Sequence, residues 1–256
     1  MAGERQPILE LRGIVKRFGG VTALRGVDFA LYDGELVAII GDNGAGKSTL
    51  IKIISGVYTP DEGEVVLWGK PVKLRSPDDA RRYGIETVHQ TLALADHMDV
   101  VGNFFLGREL TRGWYGPLFH ILNRPAMEKR TREVLADLEV DIPSLRTPVK
   151  ALSGGQRQGI ALGRAIAFGQ KILILDEPTA ALGLRETRKV VDLILRLKAQ
   201  KVPIIMISHS LPIVFEVADR IVIMRNGQVV GERDPARTAQ EELLALMVGT
   251  KEVTAP

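Results

Sequence analysis

The chain has 256 residues, 45% of them hydrophobic, enough for one large α/β domain or a domain carrying a sizeable insert. Its 34 basic and 31 acidic residues leave a formal charge of +3, and no run reaches five like charges. Pairs such as Arg81-Arg82 and Lys129-Arg130 read as solvated helix faces, so nucleic acid is not expected as a partner. The absence of cysteine fits a reducing compartment, and residues 1–7 lack the apolar core of a secretory signal. No apolar run approaches the roughly 20 residues of a membrane span, so any membrane role is expected to come through partner subunits.

Residues 8–11 and 27–31 alternate apolar with polar or small side chains, the pattern of a half-buried antiparallel layer. Asp33-Gly34 then turns the chain into 35–40, a run suited to a parallel strand buried on both faces. That strand leads straight into Gly41-Asp42-Asn43-Gly44-Ala45-Gly46-Lys47-Ser48-Thr49 and a helical stretch at 50–54. Strand, glycine-rich turn, lysine, hydroxyl and helix in this order make a P-loop. Its backbone N–H groups can point at phosphate oxygens, and the helix start adds partial positive charge. Lys47 can reach the β- and γ-phosphates and the Ser48 hydroxyl can ligate Mg²⁺. A nucleoside triphosphate is therefore the expected ligand.

A turn at 59–63 precedes strand-like 64–67. Ser76 caps a helix with Pro77 at its first position; that helix should stop near Gly84, before a strand at 85–88. From about Thr91 to Lys150 helical periodicity dominates, clearest over 125–138. An irregular stretch between Gly107 and Arg124 holds Trp114, Tyr115 and Phe119. The region reads as a helical insert, its aromatics either a small core of their own or a groove for a partner. Leu152-Ser153-Gly154-Gly155-Gln156 opens a helix to about Phe168, followed by an apolar strand at 171–175. A helix at 186–199, a strand at 203–207 and an amphipathic helix at 240–248, with Leu243, Leu244 and Met247 on one face, complete the reading. Alternating strands and helices imply a mostly parallel sheet covered on both sides.

Asp176 and Glu177 end the second apolar strand, and ligands of open α/β sheets collect at such ends. Asp176 suits Mg²⁺, directly or through water, and Glu177 suits polarising an attacking water as general base. Ser153 is a good helix cap, and the two glycines after it leave backbone amides open to an anion. Taken alone, that segment is an ordinary cap.

Taken together, the segments resemble the ATP-binding cassette (ABC) ATPases, whose signature reads Leu-Ser-Gly-Gly-Gln. The resemblance extends to about Gly249. It implies an α/β fold: a P-loop NTPase core with a mostly parallel sheet, an antiparallel β layer and a helical insert. Residues 1–250 would be one ABC ATPase domain, with 1–90 and 166–250 the nucleotide-binding core, 91–165 the insert, and 251–256 a tail. By resemblance Phe18 stacks on adenine, Gln90 contacts Mg²⁺ and His209 contacts the γ-phosphate. ATP and Mg²⁺ are the implied cofactors. Lys47 of one copy and Ser153, Gly154, Gly155 and Gln156 of a second would hold one ATP between them. One departure stands out: the family's Ala-Leu-Asp after the acidic strand end reads Ala181-Leu182-Gly183 here, which removes a carboxylate from the contact between copies.

Three segments, at 85–90, at 103–109 and at 180–183 before Arg185-Glu186-Thr187-Arg188, look like the single-cassette ATPases of bacterial monosaccharide importers, where the Gly183 variant recurs. The resemblance implies a homodimer attached to transmembrane permease subunits on the cytoplasmic face of the inner membrane, with a periplasmic sugar-binding protein as an indirect partner. A cassette for another solute, such as an amino acid or lipid, remains the alternative, and a soluble ABC ATPase acting on nucleic acid or ribosomes a more distant one.

Overall fold

The computed structural model of the chain describes residues 6–89, 92–112, 121–168, 170–180 and 182–250. Two long strands come first, β1 (Leu9–Phe18) and β2 (Val21–Leu31), antiparallel, with Leu9 opposite Leu31 and Leu11 opposite Phe29. Both outrun their alternating segments, because register shifts after Leu11 and Ile14 carry the polar stretches into the ladder. β3 (Leu36–Ile40), buried at every position, leads through the glycine-rich loop to α1 (Lys47–Ile54). β4 (Glu62–Leu67) and β5 (Lys70–Val72) join the first pair in an antiparallel sheet of order β2-β1-β4-β5. In α2 (Pro77–Arg82) Asp79 N donates to the Ser76 hydroxyl at 3.2 Å, as the cap reading requires, and β6 (Ile85–Val88) follows.

Next come α3 (Val100–Phe105), the paired β7 (Thr111–Arg112) and β8 (Ile121–Leu122), α4 (Arg124–Asp137) and α5 (Gly154–Ile166). The expected insert is thus mainly helical among its described residues; Trp114, Tyr115 and Phe119 lie outside them. β9 (Ile172–Asp176), α6 (Leu184–Ala199), β10 (Ile204–Ile207) and α7 (Leu211–Val217) alternate. Then β11 (Arg220–Arg225) and β12 (Gln228–Arg233) form a hairpin before α8 (Gln240–Val248). Asn226 and Gly227 close the hairpin with φ of 50° and 79°, a two-residue turn of the kind an Asn-Gly pair favours.

The second sheet runs β12-β11-β3-β10-β9-β6, parallel throughout except for β12 at its edge. Successive side chains on each strand face opposite sides of a sheet. Leu36, Ala38 and Ile40 accordingly join Leu173, Leu175 and Met206 in a core with α3 to α7. Val37 and Ile39 join Ile174, Ile205 and Val222 in a second core with α1 and the antiparallel sheet. In α8 the buried pair is Leu243 and Leu246, while Leu244 is 44% exposed. The expected apolar face is corrected by one turn geometry: i and i+3 share a side, and Leu244 falls off it.

Asn103 is a polar rivet in the first of these cores, fully buried. Its Oδ1 accepts from Ala95 N at 2.7 Å, and its Nδ2 donates to Ala95 O at 3.0 Å and Asp99 O at 3.0 Å. Asn103→Ala removes the buried amide that ties down the 95–99 loop and is expected to cost about 2–3 kcal/mol, read as a lower urea midpoint. An unchanged midpoint would show that the loop finds other partners.

Candidate active site

The site begins where β3 stops. Gly41 turns there with φ 151°, and a Cβ on it would run into the Met224 carbonyl of neighbouring β11, so only glycine lets the loop leave the sheet here. Gly46 caps α1 with φ 103°, and a Cβ there would lie 2.9 Å from Ala23 O. A glycine at this position also leaves the first amides of α1 without a side-chain acceptor of the cap's own. No acidic residue occupies the first turn, so the positive end of the helix faces the cleft unscreened by one.

Lys47 is only 6% exposed, and its ammonium donates to Gly41 O at 2.7 Å and Asp42 O at 3.0 Å. Burial lowers its pKa, with Glu177, Asp42 and Asp176 opposing that shift. Asp176 is the last residue of β9, in register with Ile207 of β10. Glu177 follows it with φ 51°, a region that costs a non-glycine residue energy. Its N donates to Ile207 O at 3.0 Å, extending the pairing by one residue. Its Oε2 accepts from His209 N at 3.3 Å, and its Oε1 lies 2.9 Å from His209 Nε2 without hydrogen-bonding alignment, a buried acceptor lacking a donor.

These groups share a cleft of about 620 Å³, walled by the loop 43–49, Asp176, Glu177 and His209. The rest of the wall was not legible as a site in the sequence. Val21, Thr22, Ala23 and Arg25 arrive from β2, and Asn226-Gly227 from the β11–β12 hairpin. Gly227 N donates to Ala45 O at 3.0 Å and Arg25 N donates to Gly227 O at 2.8 Å, tying loop, hairpin and antiparallel sheet together. The Asn-Gly pair was the available signal; Arg25, a second cation in the cleft lining, had none.

The remaining expected residues that are described lie outside this cleft. Phe18 ends β1 outside the wall of this cleft, 41% exposed, its ring edge-on to Tyr58 at 5.1 Å. Ser153 caps α5 with a reciprocal box: Gln156 N donates to Ser153 Oγ at 3.2 Å and Ser153 N donates to Gln156 Oε1 at 3.0 Å. Ser153 to Gln156 contribute nothing to the cleft around Lys47 within one chain. Gln90 falls outside the described residues.

The donor set fits a metal that arrives with its ligand. Among the described residues no group of three or more His, Asp and Glu side chains is gathered to hold an ion alone. Ser48 and Asp176 line the same cleft as Lys47, and Glu177 Oε1 in that cleft lacks a donor. Hard oxygen ligands of this kind suit Mg²⁺ shared with phosphates.

The profile of the ABC transporter family matches residues 24–180. The chain belongs to this family. A fructose import ATP-binding protein of Rhizobium meliloti is 52% identical over 250 residues, spanning 97% of this chain and 96% of that one. A xylose/arabinose import ATP-binding protein of Sulfolobus acidocaldarius is 43% identical, spanning 94% of this chain and 93% of that one. Among solved structures, a nucleotide-free ATP-binding cassette from an ABC transporter superposes with a TM-score of 0.80 at 30% identity, covering 95% of this chain and 96% of that one. A dimeric cassette bound to ADP and Pi after hydrolysis superposes at 0.72 and 26% identity, covering 89% of this chain and 98% of that one. The α/β architecture read from the sequence is that of these cassettes, and cassettes of this family are ATPases.

Within the cassette, burial raises the carboxyl pKa of both Asp176 and Glu177, opposed by His89 at the first and His209 at the second. An acid with a raised folded pKa favours folding below its unfolded pKa, and that contribution is lost as pH rises through the folded value. At neutral pH the Glu177 charge therefore opposes folding. Glu177→Gln is expected to raise the nucleotide-free melting temperature at pH 8, with the gain shrinking as pH falls toward the ordinary glutamate value of 4.5. Thermal scans across that range check it; a gain independent of pH would contradict the buried-charge account.

Proposed function

We propose that this cassette is the ATP-hydrolysing subunit of a bacterial importer for a monosaccharide, working as a pair of identical copies on the cytoplasmic face of the inner membrane. Residues 1–90 and 166–250 serve as the nucleotide-binding core and 91–165 as the insert. The sugar assignment is carried by the end-to-end likeness to the fructose import protein, 52% identical over 97% of this chain. No described helix is long and apolar enough to cross a membrane, so transmembrane permease subunits supply the path, and a periplasmic sugar-binding protein delivers the sugar to them.

In this reading Lys47 exchanges its two carbonyl acceptors for the β- and γ-phosphates of ATP, which the amides of residues 41–49 cradle. Ser48, Asp176 and Gln90 hold Mg²⁺, which supplies charge neutralisation on the phosphates. Glu177, kept basic enough by burial, takes the proton of the attacking water, and His209 contacts the γ-phosphate. Phe18 stacks on adenine. Ser153, Gly154, Gly155 and Gln156 come from the second copy, which accounts for their distance from Lys47 within one chain.

Lys47→Ala is expected to lose ATP-dependent thermal stabilisation, about 2.7 kcal/mol in the parent at a hundredfold excess of ATP over Kd; undiminished stabilisation would count against the phosphate contact. Glu177→Gln should bind ATP, hydrolyse it at least a hundredfold more slowly, and elute as a dimer with ATP; rapid turnover would end its role as base. Reconstitution with its permease subunits should give ATPase activity stimulated by a monosaccharide and its binding protein. Stimulation by an amino acid instead would move the assignment to that solute class.

A further inference from the structure

The turn after α4 grips the start of α5. Glu139 N donates to Ala136 O at 2.9 Å and Val140 N to Leu135 O at 2.8 Å, and Glu139 takes φ 52°. That conformation is strained for a residue with a side chain. Arg196 of α6 pins it: Nη1 donates to Leu138 O at 3.0 Å, and Nη2 pairs with the Glu139 carboxylate.

Two contacts carry the turn onto α5. Val140 fills the space beside Gly159, where a Cβ would lie 2.7 Å from Val140 Cγ1. Gln156 Nε2 donates to Asp141 O at 2.9 Å, while its Oε1 accepts from Ser153 N. Both ends of the Gln156 amide are thus engaged inside its own chain. The amides free to face an anion are those of Gly154 and Gly155, and their direction follows the turn that Gln156 holds. A misplacement of about 1 Å at such donors is enough to cost a large factor in rate.

We infer that Gln156 and Arg196 are positioning residues: Arg196 fixes the 138–141 turn, and Gln156 transmits its position to the Ser153 cap. This rests on the paired-copy reading above, in which Gly154 and Gly155 face ATP on the other copy. α6 strengthens the case, because it starts beside the same glycines: a Cβ on Gly155 would lie 3.5 Å from Glu186 Cβ. One helix therefore braces the amide segment directly at its start and through Arg196 further along.

The test is made in the Glu177→Gln protein, whose ATP-driven dimerisation is measured first by light scattering. Adding Arg196→Met should raise the protein concentration needed for dimerisation about tenfold, the scale of one charge-assisted hydrogen bond. The ATP-dependent thermal shift of the dilute monomer, which reports on Lys47, should not change. Arg196→Lys, a cation without the two-pronged geometry, should fall between the two, and in the otherwise native chain Arg196→Met should lower kcat with KM for ATP kept. Dimerisation of the methionine variant at the parent's concentration would overturn the inference. Should that variant fail to fold, parent-like dimerisation by the lysine variant overturns it equally. A parent that never dimerises with ATP would instead bring down the paired-copy reading, and this inference with it.

Discussion

Everything in the cleft depends on β3 being hydrogen-bonded in parallel between β10 and β11. That placement buries five consecutive apolar residues on both faces and ends three neighbouring strands on one line. Gly41 leaves β3, Glu177 leaves β9 and His209 follows the end of β10 between them, so their spacing is set by strand separation and not by loop length. The close approach of Gly41 to the Met224 carbonyl follows from the same arrangement.

The electrostatics are built on that frame. A lysine drawn out of water faces two carboxylates drawn out of water, and each softens the desolvation of the other. Neither carboxylate is fully neutralised, since burial remains the leading influence on both. A carboxylate in that condition is a better proton acceptor than one in solvent. The strained Glu177 backbone adds a second cost at the same residue, and local conflict of this kind concentrates where chemistry is done.

The P-loop and the acidic strand end were readable because phosphate chemistry demands particular residue types in one contiguous order. The buried parallel strands were readable because they are unbroken apolar runs. β2's share of the cleft wall was not, since Thr22 and Arg25 reach it through pairing with partners far away in sequence. α3 lies inside the helical stretch from about Thr91 to Lys150, but its bounds were not legible: Val100, Val101, Phe104 and Phe105 are all buried, so no polar face marks where it starts and stops. The β11–β12 hairpin carries its signal in the Asn-Gly pair, and in α8 the buried i, i+3 pair Leu243 and Leu246 leaves Leu244 exposed. The separation of Ser153 from Lys47 could only be seen in three dimensions.

The sheet at the centre of the cassette is closed off at both margins in ways that matter for its solubility. β6 offers only four residues, and β12 carries Glu232 and Arg233 and meets β11 across a register shift. A margin that is brief, or one that is charged and kinked, is a poor template for a foreign strand. Copies of this chain crowded together are thereby steered away from ribbon-like aggregation, leaving helix starts and loop tips as the surfaces through which they can meet reversibly.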